Sequence, residues 1–329
     1  MNPFSAWTAV GAVPCTRGWS EQALVTLMWG EHTRALQTRF KPLFLDLLEL
    51  GPLNVVTTNR VGALHIQADL TWHHGNDGAG CIGTDTIDID IDFGHINAIV
   101  ATGTQSQTIL SRAIRLFDPY GDVAVSVSPT PALSSTAYQS VVDRYTRCVA
   151  PLLPDATPQP ARPRPRRIVD IDGALKRWTD SGDRQALETL LVDHRLTRQH
   201  LYRTASDSRA SAISRHEVVQ LLRWMIARKA PIQFQVGRPG VAAVARVIPE
   251  AVAVRSQTIE LAGSAAVLRL DPAHMDHAWV VTHDTPDGPQ RNIELLDEAG
   301  ELAVRLGTVE RAAAARSSRQ TCPPIRPGP

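Results

Sequence analysis

One segment of the chain carries the residue types of a calcium site. Asp88, Asp90 and Asp92 alternate with isoleucines, and carboxylate oxygens are ligands that calcium prefers. A calcium loop also needs glycine at its sixth position and glutamate at its twelfth, whereas this run has Phe93 and Ile99 there. The alternation instead predicts a β-strand whose aspartates face solvent.

Three further motifs fall short of the chemistry that they resemble. His73 and His74 are adjacent, and neighbours in an extended segment point apart, so we expect no shared metal ion. The run 216–220 has glutamine where a zinc-binding HExxH helix has its second histidine. The run 78–83 matches GxGxxG but precedes a predicted strand, whereas a dinucleotide loop opens a helix. The four cysteines form no CxxC pair and no nucleophile motif is recognisable, so motifs alone predict no catalytic centre.

The elements that would position functional residues occur twice. The segments 114–127 and 293–306 each contain two alternating apolar runs around an Asp/Gly turn, which predicts a β-hairpin. Their turn residues, Asp118 and Asp297, are 179 positions apart. A conserved spacing across the turn and both flanks indicates an internal duplication.

Matches elsewhere keep nearly the same spacing. His95 and His274 are also 179 positions apart, and Arg60 and Arg238, each after an apolar run, are 178 apart. The chain is therefore predicted to have an α+β fold with two homologous halves, each a large antiparallel β-sheet with flanking helices.

Hydrophobic spacing and Gly/Pro breaks divide the halves into elements. The predicted helices cover 20–30, 39–50, 137–153, 169–178, 186–193 and 217–229. Besides the two hairpins, the predicted strands cover 54–58, 62–70, 86–93, 96–101, 232–236, 241–247, 252–261, 265–270 and 278–282. The polar, glycine-containing run 72–83 is predicted to be a loop.

The duplication also predicts domain boundaries. The first repeat is expected at 1–150 and the second at 168–311, joined by a linker at 151–167 that contains six prolines and four arginines. The Arg-, Ser- and Pro-rich tail at 312–329 is expected to be disordered.

Composition and charge narrow the compartment and the partners. A net charge of +1 gives no general reason to expect nucleic acid, although the four linker arginines leave open an anionic partner. We expect no membrane insertion, because no uncharged apolar run reaches the roughly 18 residues that a spanning helix needs. The first 13 residues lack a signal-peptide pattern and the cysteines are scattered, so a reducing cytoplasm is predicted.

Several segments resemble one protein family. Residues 196–199 read LTRQ, residues 234–240 read FQVGRPG, and residues 293–302 read IELLDEAGEL. In the first half, the runs 48–51 and 55–60 resemble segments of that same family. In this order they resemble the bacterial cytoplasmic haemin-trafficking and haemin-degrading proteins, which consist of two homologous halves.

The resemblance implies haem as the cofactor and a role in iron acquisition, with an inner-membrane haem importer and an electron donor as partners. In this family an axial histidine follows the linker, an arginine of the first half lies opposite, and basic residues hold the propionates. The axial position falls near Gln185 and the opposing arginine near Asp90, while Arg198 keeps its place as a propionate contact.

The exchange of both family ligands leaves two hypotheses open. In the first, another donor binds the iron, with His194 as the preferred metal ligand and His200, His274 or His277 as alternatives. Haem binding is then favoured over a haem oxygenase-like activity. In the second, the chain is a haem-free binding or regulatory scaffold that kept the duplicated fold.

Overall fold

The computed structural model describes residue 25 and residues 32–76, 78–103, 112–130, 135–147, 170–181, 184–255, 258–275, 277–285 and 288–308. Most of the predicted helix at 20–30, the linker at 151–167 and the tail at 312–329 lie outside these ranges. Within them, the predicted α+β class with two large antiparallel sheets is confirmed.

Helices form where apolar residues recur at helical spacing. In the first of them, Phe40, Leu43, Phe44 and Leu47 are buried along one face, and the chain turns away through Gly51 at φ +98°. The six α-helices with both ends in the described ranges are α1 Phe40–Leu48, α2 Ser135–Tyr145, α3 Ile171–Ser181, α4 Arg184–Asp193, α5 Arg198–Thr204 and α6 Arg215–Ala227.

Strands account for most of the remaining described residues. In the first half they are β1 Thr33–Ala35, β2 Leu53–Thr58, β3 Gly62–Ala68, β4 Thr71–Gly75, β5 Ala79–Thr84, β6 Ile87–Asp92, β7 Ala98–Thr102, β8 Ala113–Phe117 and β9 Val123–Pro129. In the second half they are β10 Ala210–Ile213, β11 Ile232–Arg238, β12 Val241–Val247, β13 Ala251–Val254, β14 Ile259–Ala262, β15 Ala266–Leu270, β16 Ala278–Thr285, β17 Gly288–Leu296 and β18 Leu302–Thr308.

The strand order shows the duplication directly. One nine-stranded sheet has the order β1-β7-β8-β9-β2-β3-β15-β14-β13, and the other has the order β10-β16-β17-β18-β11-β12-β6-β5-β4. Exchanging the labels β1–β9 for β10–β18 converts one order into the other. The predicted duplication is therefore present in the topology as well as in the sequence.

The two hairpin turns agree in atomic detail. In both copies the aspartate side chain, Asp118 or Asp297, accepts backbone N–H bonds from residues two and four positions later, at 2.9 and 3.0 Å. The turn glycines, Gly121 and Gly300, have φ of +80° and +79°, a conformation that glycine adopts without a Cβ penalty. These constraints explain why the Asp/Gly turn is the best preserved part of the repeat.

The prediction of a loop at 72–83 is wrong, because β4 and most of β5 occupy that run. Its glycines allow close approach within the strands instead of breaking them. A Cβ on Gly83 would lie 2.0 Å from the backbone oxygen of Ile87, and one on Gly80 would lie 2.4 Å from the Trp72 ring.

Two further element predictions need correction, and two short elements were not predicted. The predicted strand at 252–261 is the hairpin β13–β14, in which Val254 pairs with Ile259. Helix α2 ends at Tyr145 instead of continuing to 153, because Thr146 pairs with Leu36 in a β-bridge. The short helix α5 and the strand β10 were not predicted, since each is too short to show a hydrophobic period.

The chain divides into two compact units. The first contains residues 1–58, 65–159 and 238–243, and the second contains 59–64, 160–237 and 244–329. The inserted segments 59–64 and 238–243 are themselves repeat equivalents at the 179-residue spacing. In the first unit Phe40 stacks on Phe93 with ring centroids 4.4 Å apart, and in the second Tyr202 stacks on Trp178 at 5.6 Å. None of the helices in the described ranges is long and apolar enough to cross a membrane.

Candidate functional site

The turn between α4 and α5 fixes the position of His194 in the second unit. His194 follows the last residue of α4, and its backbone N–H donates to the Leu190 oxygen at 2.9 Å. Arg195 then adopts φ +52°, and the N–H of Leu196 donates to the Leu191 oxygen at 3.0 Å. This is a Schellman end with arginine where glycine is usual, so the backbone of His194 is held by a strained and fully bonded turn.

Helix α5 begins immediately after that turn. The Thr197 hydroxyl accepts the backbone N–H of His200 at 3.3 Å, which is an N-cap bond, and it lies 2.9 Å from the His200 Nδ1. Arg198, at the first helical position, is buried with 5% of its surface exposed. The cap therefore directs a guanidinium into the interior of the unit.

A fully buried carboxylate, Glu294 on β17, is the centre of the charges around Arg198. One Glu294 oxygen accepts the Arg305 Nε–H at 2.8 Å and lies 3.1 Å from the His283 Nε2. The other accepts the Tyr202 hydroxyl at 2.7 Å and lies 3.8 Å from the Arg198 Nε. We refer to Glu294, Arg305, His283, Tyr202 and Arg198 as the Glu294 network.

Electrostatics hold Glu294 ionised in spite of its burial. Burial alone would raise the pKa of this carboxyl, but Arg305, the His283 hydrogen bond and Arg198 outweigh it and hold the pKa well below its usual range. Burial and the neighbouring Glu294 raise the pKa of Tyr202 well above its usual value, so the phenol remains a proton donor at neutral pH.

Two further carboxylates approach Arg198. Its guanidinium bonds the Glu188 carboxylate and lies 3.9 Å from a Glu301 oxygen. Burial would lower the pKa of Arg198, but Glu188 and Glu294 together raise it, so the cation is retained. With three carboxylates around it, the Arg198 charge is already compensated, which favours a structural role over the predicted contact with a haem propionate.

The low pKa of Glu294 predicts acid sensitivity. The unfolded carboxyl titrates near ~4.3, and the folded one titrates well below that, so its stabilisation is present above ~4.3 and is lost as the pH falls through the folded pKa. Over that window the free energy of unfolding should fall by about 1.4 kcal/mol per pH unit on account of this group. Urea unfolding at a series of acidic pH values should show a shallower fall for Glu294→Gln. Parallel slopes in the two proteins would contradict the assignment.

The structure brings together three of the predicted site residues. His194, Arg198 and His200 lie on the α4–turn–α5 segment, and the backbone of Gln185 lies in α4, while its side chain is outside the described part. Asp90 belongs to the first compact unit.

Two of the three alternative donors, His277 and His274, have polar neighbours. His277 Nδ1 lies 3.1 Å from the Gln199 amide, and His274 lies 3.7 Å from the exposed Glu298. Both residues are partly exposed.

Asp90 lies on a polar face of β6 that also receives side chains from β4 and β5. It is opposite Cys81 in the strand register, which places its carboxylate and the Cys81 thiol on the same face. Burial raises the pKa of Asp90, while the Cys81 hydrogen bond and the nearby His74 and His73 act in the opposite direction. The aspartates of β6 are half-buried and do not simply face solvent as predicted.

The expectation that His73 and His74 point apart needs correction. The register of β4 shifts between Trp72 and His74, which is a β-bulge. His74 pairs with Cys81, and a ring nitrogen of His73 also lies within 4.8 Å of the Cys81 sulfur. A bulge turns one side chain to the other face of the strand, so the usual alternation of side chains between the two faces is interrupted at residues 73 and 74.

Sequence reasoning missed Glu294, although one signal was available. The Asp297–Gly300 turn fixes the register of the predicted hairpin, and that register places Glu294 opposite Arg305. Opposite charges at directly paired positions inside an otherwise apolar hairpin indicate a buried ion pair. His283 and Tyr202 had no comparable signal because they come from other elements.

Comparisons with known proteins agree with the duplicated architecture. The family model described as "Haemin-degrading HemS.ChuX domain" matches residues 18–145 and 195–316. Those two segments fall on the two repeats, and together they cover well over half of the chain. No curated protein matches the chain significantly.

Solved structures share the fold at low sequence identity. The chain is similar to apo-PhuS, a heme-binding protein from Pseudomonas aeruginosa, at 22% identity and a TM-score of 0.76, over 89% of this chain and 86% of that one. It is also similar to ChuS, an E. coli heme oxygenase, at 19% identity and a TM-score of 0.74, over 90% of this chain and 91% of that one.

Proposed function

Because this chain belongs to the family of haemin-degrading HemS.ChuX domains, we propose that it binds haem and carries it in iron acquisition. The observation that supports this most strongly is the match of the family model to both repeats. Bound haem would supply a redox-active iron, which needs an axial donor, apolar walls and charge partners for two propionates. The residues that the structure describes can be compared with each of these three requirements.

The axial donor that we propose is His194. Its Nε2 is buried and has no hydrogen-bond partner, while the turn around it fixes the backbone. A buried polar atom without a partner is costly, and an iron ligand would remove that cost. Among the alternative donors, His200 has its Nδ1 engaged by the Thr197 hydroxyl at 2.9 Å, which leaves its Nε2 as the nitrogen that an iron would need.

Buried apolar side chains come directly before His194 in the chain. Leu187, Leu190 and Leu191 of α4 are buried in one hydrophobic cluster with Trp178 and Leu196. We propose that this packed cluster holds α4 and the turn at His194 in place.

We assign Arg198 a positioning role in this site. Its pairing with Glu188 and Glu294 holds the start of α5, which follows His194 in the chain by four residues. A propionate placed at Arg198 would also face the negative charge of Glu301. The propionates would therefore need other cations, and the Arg198→Ala variant tests this assignment.

Binding and transfer require fewer partners than turnover. We propose a cytoplasmic role in which haem arrives from an inner-membrane importer and is stored or passed on. Degradation would additionally need an external electron donor.

A Soret titration with ferric haem tests the proposal. Wild-type protein should give a saturable one-to-one spectral shift, and His194→Ala should weaken binding by at least about tenfold, which corresponds to ~1.4 kcal/mol. Arg198→Ala should change affinity mainly through loss of folded protein, which circular dichroism would show. The control is His216→Ala, an exposed histidine of α6 near Gln220, which should bind like wild type.

Two results would separate the remaining readings. Wild-type protein that shows no saturable shift would end the haem proposal. It would favour the haem-free scaffold, which the exchanged residues at 90 and 185 support. Equal affinity in His194→Ala and wild type would keep haem binding but remove His194 as the ligand. Gln185→His restores histidine at the family position and serves as a positive control for the assay.

A further inference from the structure

Strands β4, β5 and β6 bring thiol, imidazole and carboxylate groups to one face. In the register, Cys81 pairs with His74 on one side and with Asp90 on the other, and Asp88 pairs with Gly83. Directly paired residues of antiparallel strands have their side chains on the same face. The bulge in β4 adds His73 to that face.

The side chains converge to ligand distances. The donor atoms of His73, Cys81 and Asp88 all lie within 4.8 Å of one another, and the His73 Nδ1 is 3.9 Å from the Asp88 Oδ1. Bonds of about 2.0–2.3 Å in a tetrahedral zinc site place neighbouring ligand atoms about 3.3–3.8 Å apart. The existing spacing therefore needs to contract by no more than about 1.0–1.5 Å.

The exposed fractions of the three side chains suit that contraction. Cys81 is 5% exposed and fixed in the middle strand, whereas the side chains of His73 and Asp88 are 29% and 25% exposed. The rigid member would anchor the site, and the two partly exposed members could rotate toward an ion. The Asp90 carboxylate, directly opposite Cys81 in the strand register, supplies the fourth donor.

We propose that His73, Cys81 and Asp88, with Asp90 as a fourth donor, bind a divalent transition-metal ion of the Zn²⁺ type. One sulfur, one imidazole nitrogen and carboxylate oxygens form the donor set that Zn²⁺ and Co²⁺ accept and that Mg²⁺ and Ca²⁺ do not favour. On binding, the metal–sulfur bond forms, the S–H bond breaks and the proton passes to buffer. The ion also neutralises the carboxylates of Asp88 and Asp90, which lie next to each other on one face of β6.

This site shares no proposed ligand with His194, and its readout is different. It lies in the first compact unit, whereas His194 lies in the second. Haem-free protein is therefore used throughout, and failure of one proposal leaves the other standing.

Cobalt binding tests the proposal. Chelator-treated full-length protein titrated with Co²⁺ should bind one ion and develop a thiolate-to-cobalt charge-transfer band, and added Zn²⁺ should abolish that band. Cys81→Ser should remove the band, because a hydroxyl gives no such transition. His73→Gln should weaken Co²⁺ binding at least about tenfold.

Matched controls make the outcome decisive. His95→Gln changes another histidine that bonds an aspartate, since His95 Nδ1 is 2.9 Å from Asp92 Oδ2, and this variant should bind Co²⁺ like wild type. If circular dichroism shows that Cys81→Ser does not fold, His73→Gln decides alone, because its side chain is partly exposed. The proposal is overturned if the band is absent from wild type, persists in folded Cys81→Ser, or is as strong in His73→Gln as in wild type.

Discussion

Replacing Glu294 with alanine is expected to lower the free energy of unfolding by about 3–5 kcal/mol, the usual cost of removing one partner from a buried ion pair. Glu294 is fully buried and compensates Arg305 at 2.8 Å and Arg198 at 3.8 Å. Without the carboxylate, two guanidinium groups remain inside the unit and the Tyr202 hydroxyl loses its acceptor. Urea unfolding followed by circular dichroism and tryptophan fluorescence measures the loss.

The matched control is Glu298→Ala, which removes the same side chain from an exposed position. Glu298 is 68% exposed and meets Arg60, itself 67% exposed, at 3.4 Å. Exposed ion pairs contribute little, so this change should alter stability by no more than about 0.5 kcal/mol. If both variants lose similar amounts, the Glu294 network is not a stabilising feature of the second unit.

The architecture was predictable because one constraint occurs twice. The Asp118 and Asp297 turns need a carboxylate acceptor and a glycine at positive φ, so drift could not erase them. Once their 179-residue spacing is known, the two sheets follow with equivalent strand orders. Turn chemistry is local, and local chemistry can be recognised in a sequence.

The interior of the site was less predictable because its partners are distant in the chain. Glu294 meets Tyr202 and Arg198 from another element, more than 90 residues away, and nothing in the local pattern around Glu294 points to them. The pairing with Arg305 could be read from the hairpin register, but full burial could not. On the polar face of β4–β6, the bulge beside His73 changed the side-chain direction that a simple strand period predicts.

Replacing Trp178 with alanine is expected to be of similar size, about 3–5 kcal/mol, because it opens a cavity that neighbouring side chains only partly fill. Trp178 of α3 is 1% exposed and lies in the hydrophobic cluster that contains Leu190 and Leu191 of α4, with its ring 5.6 Å from the Tyr202 ring. Those residues flank the segment that carries His194. Loss of Trp178 should therefore also weaken haem binding at temperatures where the variant is still folded.

Two companion variants identify the cause of that loss. The Trp178 Nε1 is buried and has no hydrogen-bond partner, so Trp178→Phe removes an unsatisfied donor along with part of the ring and should lose less stability than Trp178→Ala. Trp224→Ala removes an indole that is 52% exposed and lies 4.6 Å from the Arg228 guanidinium, which should cost no more than about 1 kcal/mol. Haem binding by Trp178→Ala that equals wild type, despite a measured loss of stability, would show that packing of α3 on α4 does not position His194.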